Sequence, residues 1–133
     1  MKIASDAHVV MVDDNPGDIQ LAQECFELSV LTNPWLAFNG GQQLIGYLGT
    51  VKANTAPMPA LVLLDINMPR MSGHDVLRAV RADPYFERLP IFCVLTSSSD
   101  PNDKREAEAL GASGFVVKPD SHVDYVAFFN ALA

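Results

Sequence analysis

The sequence predicts an α/β protein built on a parallel sheet with helices packed on both faces. Unbroken apolar runs, Val9-Val10-Met11-Val12, Leu61-Val62-Leu63-Leu64 and Ile91-Phe92-Cys93-Val94-Leu95, read as strands buried on both sides. Stretches of helical spacing alternate with these runs, the rhythm of βαβ units. The runs also end in polar residues, Asp13-Asp14, Asp65, Thr96 and, after a shorter run, Lys118. Open α/β sheets bind ligands outside the carboxyl ends of their strands, so these side chains fall where a site is expected.

Taken in order, the first strand covers about residues 8–12 and runs into Asn15-Pro16-Gly17-Asp18, with Asp18 as the expected N-cap of a helix. Leu21, Cys25 and Leu28 recur along that helix at i, i+4 and i+7. Asn33-Pro34 marks a turn before a short strand at 35–38, and Asn39-Gly40-Gly41 leads into a helix carrying Leu44, Ile45 and Leu48 and weakened by Gly46. Residues 49–59 hold Gly, Thr, Asn and two prolines and read as an exposed loop.

The third strand, 60–64, ends at Asp65. Val76, Leu77 and Val80 then define the buried face of a third helix, closed by Asp83-Pro84. Pro90 opens the fourth strand, 91–95, and Asp100-Pro101 supplies an N-cap with Pro at N1 for a helix reaching about residue 110. Gly111 provides the stop. A short fifth strand covers 115–117, and Val123, Val126 and Ala127 are expected to line the last helix.

A chain of 133 residues suits one domain, 1–133, with no effector domain attached. Apolar residues make up 49% and charged residues 19%, a globular mixture. With a net charge of -7 and only nine Lys and Arg, the chain lacks the basic surface that nucleic acid requires. Residues 1–8 contain no signal-like apolar segment and no run approaches a membrane span, so the expected location is cytoplasmic, without a membrane. Cys25 and Cys93 sit among apolar neighbours and read as small core residues. His8, His74 and His122 show no metal-ligand spacing.

The polar strand ends carry the chemistry. Three carboxylates brought together repel one another and raise at least one pKa unless a cation joins them, and an oxygen-only donor set favours Mg²⁺. A strand-end carboxylate can also accept a phosphoryl group, given neutralising charge and a hydrogen-bond donor around the transferring oxygens. Asp65 suits the acceptor, Asp13 and Asp14 the metal, Lys118 the ammonium and Thr96 the donor. At about 4 Å and an effective dielectric near 20, a lysine and one negative charge attract by roughly 4 kcal/mol before desolvation.

Val12-Asp13-Asp14-Asn15, Leu64-Asp65-Ile66-Asn67-Met68-Pro69 with Gly73 four residues on, Leu95-Thr96-Ser97, and Gly111-Ala112 through Phe115 to Lys118-Pro119 together resemble the receiver domain of two-component response regulators. The resemblance covers essentially the whole chain. It implies a flavodoxin-like (βα)5 sandwich, its five parallel strands in the order 2-1-3-4-5, phosphorylated on Asp65 by a partner histidine kinase. It also implies Mg²⁺ held by Asp14, Asp65 and the backbone carbonyl of Asn67, with Asp13 acting through water. Thr96 and Phe115 would form the switch pair, and Lys118 would bind a phosphoryl oxygen, aimed by a cis bond to Pro119. Asn67 and Ser98 stand where the family tunes phosphate lifetime. Phe115 replaces the Tyr of many relatives, which leaves the switch no phenolic hydroxyl.

The stretch Asp-Asp-Asn-Pro-Gly-Asp further resembles stand-alone regulators paired with bacterial phytochrome kinases. Output would then be binding to a downstream protein, or pairing of two copies, through the fourth helix, fifth strand and fifth helix.

Each residue also has a plain reading: Asp14 or Asp18 as a helix cap, Asp65 as a turn residue, Lys118 as a surface charge and Phe115 as core. Their convergence at one sheet edge outweighs those separate readings. An aspartate-nucleophile phosphatase needs an acid two residues after the nucleophile, and position 67 is Asn, so the chain is read as a phosphoacceptor and not an enzyme. A flavin-binding domain needs a phosphate-cradling loop where this chain places carboxylates. A receiver-shaped module that never takes phosphate would not need the intact set of acids, Thr96 and Lys118.

Overall fold

Each apolar run forms a strand: β1 (Val9–Val12), β2 (Trp35–Phe38), β3 (Leu61–Asp65), β4 (Ile91–Leu95) and β5 (Gly114–Val117). In the computed structural model, which describes residues 2–95 and 101–133, the strands pair in parallel in the order β2-β1-β3-β4-β5. Five helices connect and follow them: α1 (Pro16–Leu28), α2 (Gly41–Lys52), α3 (Gly73–Arg81), α4 (Pro101–Ala109) and α5 (His122–Asn130), with a 3-10 turn at Pro84–Phe86. This is the flavodoxin-like topology expected from the sequence.

The period of two along a strand divides the core into halves. Val10, Val12, Val62 and Leu64 face one way and pack with Leu44 and Leu48 of α2 and Val76, Leu77 and Val80 of α3. Val9, Met11, Leu61 and Leu63 face the other way, against Ala22, Cys25 and Phe26 of α1 and Tyr125 and Phe129 of α5. Phe129 meets Phe26 edge-on at 5.4 Å and stacks with Tyr125 at 5.6 Å. Both cysteines are free and buried.

Several local expectations are corrected. Asn15, not Asp18, caps α1: its Oδ1 accepts the N–H of Gly17 at 2.9 Å and of Asp18 at 3.3 Å. Leu28 is 70% exposed, because the helix turns Ala22, Cys25 and Phe26 inward and leaves its last turn outside. α2 continues through Lys52, so the loop expected from residue 49 starts later; Val51 is buried and extends the apolar face. On α5, Val123 is 78% exposed and Ala127 is exposed, while Tyr125 and Phe129 face the core. The larger aromatic pair claims the inward face there.

Arg81 fastens the end of α3. Its guanidinium donates to the carbonyls of Phe86, Leu89 and Gly111, the last two at 2.7 and 2.9 Å. Gly111 has φ +98°, the left-handed conformation that glycine adopts without steric cost after a helix. The expected Asp100 N-cap of α4 lies outside the described residues.

Candidate functional site

Strand parity and register build the site. Asp13 continues the series Val9, Met11, and Asp65 continues Leu61, Leu63, so both carboxylates project toward the α1 and α5 side. β1 and β3 pair Val12 with Leu64, so Asp13 and Asp65 follow side by side on adjacent strands. Asp13 is fully buried and Asp65 only 3% exposed. Asp14, one residue on, faces solvent. Each of the three offers a carboxylate oxygen, and these oxygens all lie within 4.8 Å of one another.

Short local bonds hold the acids. Asp13 Oδ1 accepts the Asn15 N–H and Asp65 Oδ1 the Asn67 N–H, each at 2.9 Å. The loop after β3 is drawn in by the Gly73 N–H, which donates to the Ile66 carbonyl at 3.1 Å. α3 then starts on a capping box between Ser72 and Asp75.

Lys118, the first residue beyond β5, brings its ammonium to the cluster. Its Nζ lies 2.7 Å from Asp18 Oδ2, 3.3 Å from Asp13 Oδ2 and 4.0 Å from Asp65 Oδ2. The role of Asp18 was missed in the sequence, where an acid in the first turn of a helix has an ordinary explanation. No peptide bond is cis among the described residues, so the Lys118–Pro119 bond is trans, contrary to expectation.

Burial pushes the Asp65 carboxyl up to about 7 from its ordinary 3.8; the Asn67 amide opposes this, the Asp13 charge adds to it, and the Lys118 ammonium opposes it. Burial alone would lower the Lys118 pKa. Its hydrogen bond to Asp18 and the charges of Asp13, Asp65 and Asp18 outweigh that and hold it above the usual lysine range. Four acids against one lysine leave an excess of negative charge. An oxygen-only donor set of this kind suits a hard divalent cation, so the residues present fit Mg²⁺.

Phe115 on β5 is half-buried at the edge of the core half formed with α2 and α3, and Lys104 of α4 lies over its ring at 5.7 Å. His74 bridges helices: its Nε2 lies 3.2 Å from the Asp103 carbonyl and its Nδ1 3.6 Å from Glu106. Thr96 and Ser98, expected at this edge, lie outside the described residues.

Comparison with known proteins agrees with this architecture. Residues 9–128 match the family described as the response regulator receiver domain. The chain belongs to that family. Response regulator Rcp1 of Synechocystis is 27% identical to this receiver domain over 111 residues, 83% of this chain and 75% of Rcp1. Among solved structures, the response regulator RPA3017 in red light signalling of R. palustris superposes with a TM-score of 0.82 at 29% identity, covering 94% of this chain and 90% of that one. The phosphorylated cyanobacterial phytochrome response regulator RcpA gives 0.81 at 26% identity, covering 95% and 90%. No helix among the described residues is long and apolar enough to cross a membrane.

Proposed function

We propose that this receiver domain accepts a phosphoryl group on Asp65 from a sensor histidine kinase, in a reaction that requires Mg²⁺, and signals by binding another protein in its phosphorylated state. The observation that carries this reading is the placement of Asp65: buried at the end of the central strand, flanked by two further carboxylates, with an ammonium 4.0 Å away.

In this reading a carboxylate oxygen of Asp65 attacks phosphorus. An oxygen–phosphorus bond forms as the donor's phosphorus–nitrogen bond breaks, and the imidazole of the kinase histidine leaves with that electron pair. Asp13, Asp14, Asp65 and the backbone carbonyl of Asn67 would hold Mg²⁺. The chemistry supplied by the bound ion is neutralisation of charge on the acceptor and the phosphoryl oxygens. Lys118 steadies one phosphoryl oxygen and Thr96 donates to another. Phe115 turns inward behind Thr96 and carries the change to the outer face.

The named relatives support the kinase class, since RcpA is a phytochrome response regulator and RPA3017 acts in red light signalling. A bacterial phytochrome is therefore the proposed kinase. The proposed output face is α4, β5 and α5, on which Val117 and Val123 are exposed, and it serves a downstream protein or a second copy. Sedimentation with and without a phosphoryl mimic should show a dimer. A monomer under both conditions at high concentration removes the pairing.

The test of the function is incubation with acetyl phosphate and Mg²⁺, followed by intact mass measurement. The expected result is an acid-labile phosphoryl adduct that disappears when the metal is chelated; no adduct would contradict the reading. Asp14→Ala should weaken Mg²⁺ binding at least tenfold by titration calorimetry, the scale of one lost anionic ligand. Unchanged affinity would remove Asp14 from the ligand set.

A further inference from the structure

Asp18 occupies the third position of α1, where an acidic side chain ordinarily complements the helix dipole or reaches back to bond the N-cap amide. α3 shows the second arrangement, with Asp75 Oδ2 accepting the Ser72 N–H at 3.2 Å. In α1 that route is closed, because the Asn15 N–H already donates to Asp13 Oδ1 at 2.9 Å. The Asp18 carboxylate turns instead to Lys118, 100 residues away in sequence, and takes a hydrogen bond at 2.7 Å.

The ammonium is thus shared unequally. Its 2.7 Å contact with Asp18 has the length of a charge-assisted hydrogen bond, whereas the 4.0 Å separation from Asp65 is an ion pair without one. The Lys118 side chain is mostly enclosed, while Asp18 is more open to water and can be rehydrated when released. We propose that Asp18 is a positioning residue for phosphoryl transfer: it competes with Asp65 for Lys118, holds the ammonium toward α1 in the unphosphorylated protein, and releases it when a phosphoryl group arrives. The inference rests on Asp65 being the phosphoacceptor.

A phosphoryl group brings additional negative charge and strong acceptor oxygens to Asp65, which tips the balance for Lys118 away from Asp18. Before that, whatever share of the ammonium is engaged by Asp18 is withheld from the charge developing in transfer. Asp18 therefore restrains the reaction, and its exchange for the phosphoryl group links the acceptor to the first turn of α1.

The test is a double-mutant cycle in phosphorylation rate with acetyl phosphate and Mg²⁺, using Asp18→Asn and Lys118→Met. Asp18→Asn should speed phosphorylation about three- to tenfold when Lys118 is present, the scale of one partly exposed charge-assisted contact, and leave the residual rate of Lys118→Met unchanged. Asp18→Glu, which keeps the charge, should stay near the wild-type rate.

Were the lost negative charge to act only by easing approach of an anionic donor, the acceleration would appear in both backgrounds. Equal acceleration in both, or no acceleration with Lys118 present, overturns the inference. A second readout needs no phosphoryl group: in nitrogen-15 spectra of the unphosphorylated protein, the Lys118 ammonium protons should exchange with water faster in Asp18→Asn than in wild type. Unchanged exchange, with wild type still phosphorylated on Asp65, overturns the positioning role alone. Absence of any wild-type adduct overturns the phosphoacceptor reading and this inference together.

Discussion

Asp65→Asn should stabilise the metal-free protein while abolishing phosphoryl uptake. In the folded chain Asp65 is buried beside Asp13, and its carboxyl is pushed up to about 7 from 3.8. Folding therefore takes up a proton between those values, so metal-free stability falls as pH rises from about 4 to about 7 and levels off above. An amide at position 65 removes both the buried charge and its repulsion. At pH 8 with a chelator the gain should be about 1–3 kcal/mol, seen as a rise of roughly 4–10 °C in melting temperature, and it should fade toward pH 4. Excess Mg²⁺ should reverse the order, since wild type keeps the full ligand set and gains about 4.1 kcal/mol at a thousandfold excess over Kd. Thermal melts of both proteins across this pH range, with and without metal, check the prediction. A variant less stable than wild type in chelator at pH 8 would show that burial of Asp65 is otherwise compensated.

Gly73→Ala should cost about 2–4 kcal/mol and impair phosphorylation beyond what the lost stability explains. A methyl group there would lie 2.5 Å from the Ile66 Cα and 2.6 Å from the Asp65 carbonyl oxygen. Both neighbours are backbone, so no side chain can move aside. Either α3 withdraws from the end of β3, or the segment carrying Asp65 and Asn67 shifts. Denaturant titration measures the first cost, and the phosphorylation rate under fully folded conditions measures the second. A variant with wild-type stability and rate would show that the close approach of α3 to β3 is not required.

The sheet was legible in the sequence because its strands are short apolar runs whose period of two also fixes where the next residue points. The acids at 13 and 65 were expected at one edge because each follows such a run; that they stand side by side comes from the register that pairs Val12 with Leu64. Helix faces were less legible. Leu28 fits the spacing of α1 yet lies outside, while Phe26 is held inside by its contacts with Trp35 and Phe129. That preference comes from partners distant in the chain. The part played by Asp18 was hidden for a related reason: nothing local shows that Asn15 takes the cap, that the Asn15 amide goes to Asp13, or that Lys118 arrives from the far end of the sheet. Arg81 likewise looks like a surface residue of α3 until the carbonyls of Phe86, Leu89 and Gly111 converge on it.

The central claim is that Asp65 itself carries the phosphoryl group. Borohydride reduction after treatment with acetyl phosphate and Mg²⁺ converts an aspartyl phosphate into homoserine, a change that peptide mass mapping assigns to a single residue. Homoserine at position 65 in wild type, and at no position in Asp65→Asn, is the predicted result. Homoserine elsewhere, or equal adduct formation in the two proteins, would contradict it.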